Sequence, residues 1–264
     1  MIITKLQGGL ANQIFQWAYA RNLSIRYNTD LYLDTSFYNI QTGCTIREYS
    51  LDKFPNIKVN IIDNTIYNNH IDSKKQVISM NDYFKFKELN YNDSFNYYLN
   101  GYWQSEKYFI ESSDIIRKEL SPSEEILNKL NKTPLIDGNS VSLHIRRTDY
   151  VTSNGYHPVQ SIDYYNKGLE IIGDYDNIFV FSDDIEWCKN NLNFKNIIFM
   201  EGFSDIEDLW LMSLCKHNII VNSSFSWWGA WLNNNLGKKI IAPKKWFGSN
   251  LNTSDIIPNK WIKI

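Results

Sequence analysis

A chain of 264 residues is long enough for one large domain or two compact ones, and its formal charge of -2 excludes a general pull toward nucleic acid or an anionic membrane, so a basic site must be local and suited to a small anion. Cys44, Cys188 and Cys215 are too scattered for a disulfide framework or a zinc site, which favours a reducing compartment. No apolar run reaches the roughly 20 residues of a membrane span, and residues 1–9 do not read as a leader, so a cytoplasmic location is expected.

Residues 1–6 read as a strand that Gly8-Gly9 ends. Leu10, Ile14, Trp17, Ala18 and Leu23 then give a helix from about Leu10 to Arg26. Strand, glycine turn and helix open a nucleotide-type βα unit, but Gly8-Gly9 is not the GxGxxG fingerprint and specifies no dinucleotide. Residues 38–100 read as irregular strand and loop. A helix is expected from about Ser105 to Leu120, and Ser121-Pro122-Ser123-Glu124 starts another with Ser at its cap. The segment 131–139, with Pro134 and Gly138, marks the boundary between lobes 1–135 and 136–264.

Beyond that boundary the alternation is regular. Strands are expected at 141–145, 177–182, 196–200, 217–222 and 239–242, and helices at 162–172, 185–192, 206–215 and 227–235. Repeated βα units imply an α/β fold with a parallel sheet wrapped by helices. The loops after the strands therefore open on one edge, where such sheets bind ligands.

Arg146, Arg147 and Asp149 stand in the first of these loops. Two arginines there suit a phosphate through paired charge-assisted hydrogen bonds, or form a plain surface Arg–Asp pair. Asn222-Ser223-Ser224-Phe225-Ser226 leads into a helix, whose first amides and Ser hydroxyls suit a phosphate. Ser226 is equally readable as an ordinary N-cap. The two loops together favour a diphosphate. Asp183-Asp184 reads as a helix cap or, less readily, a metal site, and Asp208 as the partner of a base edge or a solvated acid. Aromatic residues at 15%, with nine Trp and seventeen Tyr, fit sugar-facing surfaces and core packing alike.

His144-Ile145-Arg146-Arg147-Thr148-Asp149-Tyr150 resembles the HxRRxD signature of α-1,2-fucosyltransferases, glycosyltransferase family 11 of the bacterial type. The segments 8–16, 101–105, 181–184 and 222–231 resemble their further blocks, in order along nearly the whole chain. The resemblance implies a GT-B-like fold, two Rossmann-type lobes with the active site in the cleft between them. It implies transfer of L-fucose from GDP-β-L-fucose to the 2-hydroxyl of a terminal galactose, inverting and with no obligatory metal or other cofactor. In that scheme Arg146 grips the β-phosphate with Arg147 in support, and His144 lies near the nucleotide. Asp208 reads the guanine edge, Ser224, Phe225 and Ser226 wrap the diphosphate, and Asn12 and Gln13 face the fucose or the acceptor.

The resemblance leaves the proton acceptor open. Similar α-1,6-fucosyltransferases carry a glutamate five positions after the signature aspartate, where this chain has Asn154, so Asp149 is the nearest candidate. Late proton loss to water or phosphate is the alternative. Eukaryotic members carry a membrane anchor and this chain lacks one, so a bacterial surface polysaccharide is the expected setting. A lipid-linked acceptor would place the chain at the inner membrane face without inserting it. Another fucosyl linkage, a non-catalytic nucleotide-sugar or glycan-binding module, and metal-dependent transfer through Asp183 and Asp184 remain as rivals. The oligomeric state is not legible.

Overall fold

The computed structural model describes residues 1–41, 45–62, 75–79, 84–131, 138–153 and 155–264. Cys44, Asn154 and the expected boundary at 135/136 lie outside them. The chain divides into two compact units, Met1–Ser121 with Asn252–Pro258, and Pro122–Leu251 with Asn259–Ile264.

The first segment of the first unit ends at Ser121, ahead of helix α3 (Glu124–Asn131), which belongs to the second unit. The reason is packing. Leu130 joins a core cluster of the second unit with Leu211 and Met212, and Lys129 pairs with Glu207 at 2.5 Å. Ser123, not Ser121, caps that helix, accepting from the Ile126 amide at 3.2 Å. Residues 252–258 return to the first unit, where Asp255 takes Lys107 at 2.5 Å and the Phe86 amide at 2.8 Å.

In the first unit β1 (Ile2–Lys5) lies between β2 (Leu31–Asp34) and β5 (Asn96–Asn100). With β3 (Asn60–Ile61) and β4 (Lys75–Ser79) the order is β3-β2-β1-β5-β4, every pair parallel. Helix α1 (Leu10–Arg26) follows β1 as expected, with Ile14, Phe15, Trp17 and Ala18 buried. Gly8 takes φ +81°, and a Cβ there would stand 2.7 Å from Asn12 Nδ2, so the turn into α1 requires glycine. The helix expected over 105–120 is shorter. Two 3-10 turns, Glu106–Tyr108 and Ile110–Ser112, precede α2 (Ser113–Glu119), because Phe109 between them adopts φ -145°.

In the second unit β6 (Val141–Ile145) is central. The order β8-β7-β6-β9-β10-β11 joins it to β7 (Ile178–Ser182), β8 (Ile197–Phe199), β9 (His217–Ile219), β10 (Ile240–Ala242) and β11 (Ile262–Lys263). All pairs are parallel. The strands are apolar on both faces, as a sheet covered by helices requires. Ile178 and Val180 enter one core cluster, Phe179 and Phe181 the other.

Helices α4 (Thr148–Val151), α5 (Ile162–Ile172), α6 (Ile185–Asn191), α7 (Asp205–Leu214) and α8 (Ser224–Leu232) connect the strands. Helix α8 is apolar all round and correspondingly buried, Trp227 and Trp228 completely. Its Gly229 lets α7 approach, since a Cβ there would meet Met212 Cβ at 2.8 Å. Among the described residues no helix is long and apolar enough to cross a membrane.

Candidate active site

The strand order of the second unit fixes where a ligand fits. From β6 the chain winds outward through β7 and β8 on one side and resumes with β9, β10 and β11 on the other. The switch point is the β6–β9 pair, and the loops leaving these strands diverge there to open a crevice. One is the arginine loop 146–149 and the other the serine loop 222–226. Tyr150 Oη ties them together by donating to the Asn222 carbonyl at 2.8 Å.

Arg146 is half-buried at this edge. Its Nε donates to Asp149 Oδ1 at 2.9 Å, Nη2 lies 2.9 Å from the same oxygen, and Nε lies 3.3 Å from Asp183 Oδ2. Burial works against its charge, but the hydrogen bond to Asp149 and the field of Asp183 outweigh it and raise the pKa above the ordinary arginine value. The pairing leaves Nη1 on the side away from both acids. Asp149 is therefore the orienting counter-ion of Arg146.

Asp183 and Asp184 act as caps, on different elements. Asp184 caps its own helix, accepting from the Trp187 amide at 3.3 Å. Asp183 instead accepts the Arg147 amide at 2.9 Å, the Thr148 amide at 3.2 Å and the Thr148 hydroxyl, and so shapes the arginine loop. Among the described residues no cluster of three His, Cys, Asp or Glu side chains is placed to hold a metal. Arg147 is expected to support the Arg146 site. Its guanidinium stacks 3.8 Å over the Trp187 ring and bonds Asp184 Oδ2 at 3.3 Å, so it braces the loop.

At the other side of the switch point the N-cap of α8 is Ser223, whose Oγ accepts from the Phe225 amide at 3.3 Å. Ser226 is neither that cap nor a hydroxyl facing out. It is 1% exposed and its Oγ turns back to the Ser223 carbonyl at 3.4 Å. Ser224 and Phe225 are half-buried in the helix's first turn, where backbone N–H groups lack intrahelical partners. The Phe225 ring lies 5.9 Å from that of His144. His144 stands on β6 with Ser142, on the face opposite Val141, Leu143 and Ile145. Burial first, and Arg146 second, push its pKa down to about 3, so it is neutral at physiological pH.

Asp208 stands on α7, half-buried, with Oδ1 enclosed and without a hydrogen-bond partner. Burial, then Glu207 and Asp205, push its pKa up to about 7. The contact of Met212 with Gly229 places it, because Asp208 and Phe225 each lie one turn before those residues on neighbouring helices of a parallel unit. His144 Nδ1 and Asn222 Nδ2 are likewise buried without partners. Native proteins satisfy nearly all such groups, so orphaned polar atoms on β6 and on the serine loop, which meet at the switch point, suit a ligand there.

In the first unit the strand order likewise reverses beside β1, between β1 and β5. Asn12, early in α1, is half-buried there; Gln104 Nε2 donates to its Oδ1 at 2.8 Å, and its Nδ2 lies over Gly8. Gln13 departs from the expected role. It is 0% exposed, its Nε2 donates to Glu48 O at 2.8 Å and Gly8 O at 3.1 Å, and its Oε1 accepts from the Ser50 amide at 2.8 Å. It stitches residues 48–50 to the start of α1. Sequence reasoning passed over Tyr150 and Gln104, although both sit inside the motif blocks.

The model of the glycosyl transferase family 11 matches residues 1–264. The chain is 35% identical to an alpha-1,2-colitosyltransferase of Escherichia coli, across 89% of this chain and 88% of that protein. It is 32% identical to the O-antigen biosynthesis glycosyltransferase WbnK of Escherichia coli, across 91% and 93%. Among solved structures it resembles the fucosyltransferase NodZ from Bradyrhizobium, with a TM-score of 0.53 at 12% identity over 86% of this chain and 91% of that one. It also resembles POFUT1 in complex with GDP, with a TM-score of 0.50 at 12% identity over 90% and 97%. Those two likenesses show a GT-B-like fold. With the family model matched end to end, the chain belongs to glycosyl transferase family 11 and is a glycosyltransferase.

Proposed function

We propose that this glycosyltransferase moves L-fucose from GDP-β-L-fucose to the 2-hydroxyl of a terminal galactose, inverting the anomeric carbon and needing no metal. The observation that carries the reading is the convergence of the Arg146 guanidinium and the first turn of α8 on one switch point. Breaking the sugar–phosphate bond puts negative charge on the departing diphosphate. Arg146 Nη1 and the first-turn amide of Ser224 are fixed donors for that charge, worth more in the transition state than in the ground state. Asp208, ionised, accepts the N1–H and N2–H of guanine, while neutral His144 and the Phe225 ring flank the nucleotide. Asn12 Nδ2, aimed by Gln104, suits a sugar hydroxyl.

The α-1,2 linkage in the name of the 35% identical relative supports the linkage. A distant galactoside 2-alpha-L-fucosyltransferase of Caenorhabditis elegans, 29% identical over 51% of this chain, supports it too. The O-antigen role in the name of WbnK supports a surface-polysaccharide acceptor, and a lipid-linked one would bring the enzyme to the inner membrane face.

The test is transfer from GDP-fucose to lactose with EDTA present, the linkage read by NMR, with GDP-mannose and UDP-galactose as competing donors. A product fucosylated at the galactose 2-hydroxyl supports donor, linkage and metal independence together. Loss of transfer on chelation would favour the metal rival, and donor binding without transfer or hydrolysis a non-catalytic module. The colitosyl relative favours a second donor, since colitose is L-fucose without its 3-hydroxyl. A kcat/KM higher for GDP-colitose than for GDP-fucose would select it.

A further inference from the structure

Inverting transfer needs a group to take the acceptor hydroxyl's proton, and the signature does not supply one. Asp149 is bound to both Nε and Nη2 of Arg146, and Asp183 to the loop amides. The loop that continues from the signature carries a better-placed group. We propose that His157 is the general base, its Nε2 accepting the acceptor hydroxyl proton. The inference rests on the glycosyl-transfer reading above and names a catalytic residue for it.

Position comes first. The imidazole stacks on the Tyr150 ring, centroids 4.6 Å apart and planes 15° from parallel. The Arg146 guanidinium carbon lies 5.7 Å from the centre of that same ring. One aromatic ring thus links the base to the group that holds the leaving phosphate. Through Tyr150, whose hydroxyl bonds the Asn222 carbonyl, His157 lies beside the two loops that border the switch point.

Rigidity comes second. Tyr156 meets the imidazole edge-on at 4.8 Å, Phe247 lies 5.4 Å away, and the His157 amide donates to Ser153 Oγ at 3.1 Å. The Gly248 amide bonds the Tyr156 carbonyl at 2.8 Å, and a Cβ on Gly248 would collide with the Gly155 carbonyl. A ring clamped by packing and backbone on several sides keeps one orientation, which proton transfer requires. The side chain is nevertheless half-exposed, with Nδ1 enclosed, which leaves Nε2 as its reactive nitrogen.

Its charge state is compatible. Burial lowers its pKa from the ordinary 6.5, Asp149 raises it and Arg146 lowers it, with the lowering dominant. Those are the charges acting on it, and Tyr150, Tyr156 and Phe247 are neutral rings. The imidazole is therefore neutral at pH 7 and able to accept a proton.

In the step, the acceptor oxygen bonds the anomeric carbon as the carbon–oxygen bond to the β-phosphate breaks. The bonding pair leaves with GDP. The hydroxyl proton passes to Nε2, and the imidazolium afterwards releases it to water.

Two variants test this. His157→Phe keeps the ring stack without a proton acceptor, and His157→Ala opens space for added imidazole. For transfer from GDP-fucose to lactose, kcat should fall at least about 100-fold in both. GDP affinity should be unchanged, and the wild-type rise of kcat with pH through a value below 6.5 should disappear. Imidazole should restore His157→Ala but not His157→Phe. A His157→Phe enzyme within a few-fold of wild-type kcat, or loss of GDP binding in both variants, would overturn the assignment. A wild-type chain that moves no sugar would overturn the transfer reading beneath it.

Discussion

Asp208 supplies a sharp test of the nucleotide site. Its carboxyl is held at about 7 by burial, with Glu207 and Asp205 adding to the shift. Guanine recognition needs the ionised form, so binding draws on the fraction already ionised and releases a proton from the rest. About a tenth is ionised one unit below that pKa and about nine tenths one unit above it. Affinity for GDP-fucose should therefore rise about tenfold from pH 6 to pH 8. GDP-fucose is the ligand of choice because its phosphates are both diesters and do not titrate near neutrality. Calorimetry in two buffers of different ionisation enthalpy reads the proton directly, and near pH 7 about half a proton should leave per ligand bound.

Asp208→Asn turns one acceptor into a donor that meets the guanine donors head-on. Losing a hydrogen bond to a charged group costs about 1.5–3 kcal/mol, or roughly 10- to 100-fold in affinity, and the pH dependence should flatten. The unliganded protein responds with the opposite sign. A carboxyl raised from 3.8 in the unfolded chain to about 7 favours folding below pH 4 and loses that contribution as pH rises through 7. Asp208→Asn should therefore melt higher than wild type at pH 8 while binding ligand more weakly. Affinity that stays flat across this range and is indifferent to Asp208→Asn would refute the reasoning.

Arg146→Ala should lower kcat/KM for transfer by about 100- to 1,000-fold, and Arg146→Lys should not restore it, because a lysine cannot serve Asp149 and a phosphate through one planar fork. Steady-state kinetics on purified variants decides it. Gly229→Ala forces α7 and α8 apart, since the new Cβ would stand 2.8 Å from Met212 Cβ. The overpacking should cost about 1–3 kcal/mol, read by denaturant unfolding. Gln13→Met strands the Ser50 amide and two carbonyls in the interior. It should destabilise by about 1–3 kcal/mol per stranded group, while activity per folded molecule stays near wild type. A specific loss of kcat in Gln13→Met would return that residue to the site.

The candidate site was half legible because its two halves depend on different ranges of the chain. Periodicity and turn residues act over a few neighbours. They located α1 to the residue, the alternation of the second unit, and the shared edge on which Arg146 and Ser224 stand. Where a local rule offered two equivalent serines, the reading slipped. Ser223 rather than Ser226 caps α8, which begins three residues earlier than expected, and Ser123 rather than Ser121 caps α3, which begins two residues later.

The sequence by itself determined the fold class, the family blocks and the loops that carry the chemistry, since these follow from side-chain spacing and residue type. Tertiary structure decided the rest. Nothing local states that β6 lies beside β9, yet that adjacency brings the arginine loop to the serine loop. Pairings such as Arg146 with Asp183, Arg147 with Trp187, or Gln13 with Ser50 join residues more than thirty positions apart. Such contacts set burial and charge. An aspartate on a helix becomes a carboxyl held near 7, and a histidine eight positions past the signature comes to lie against its tyrosine, only when long-range packing removes water and fixes the neighbours.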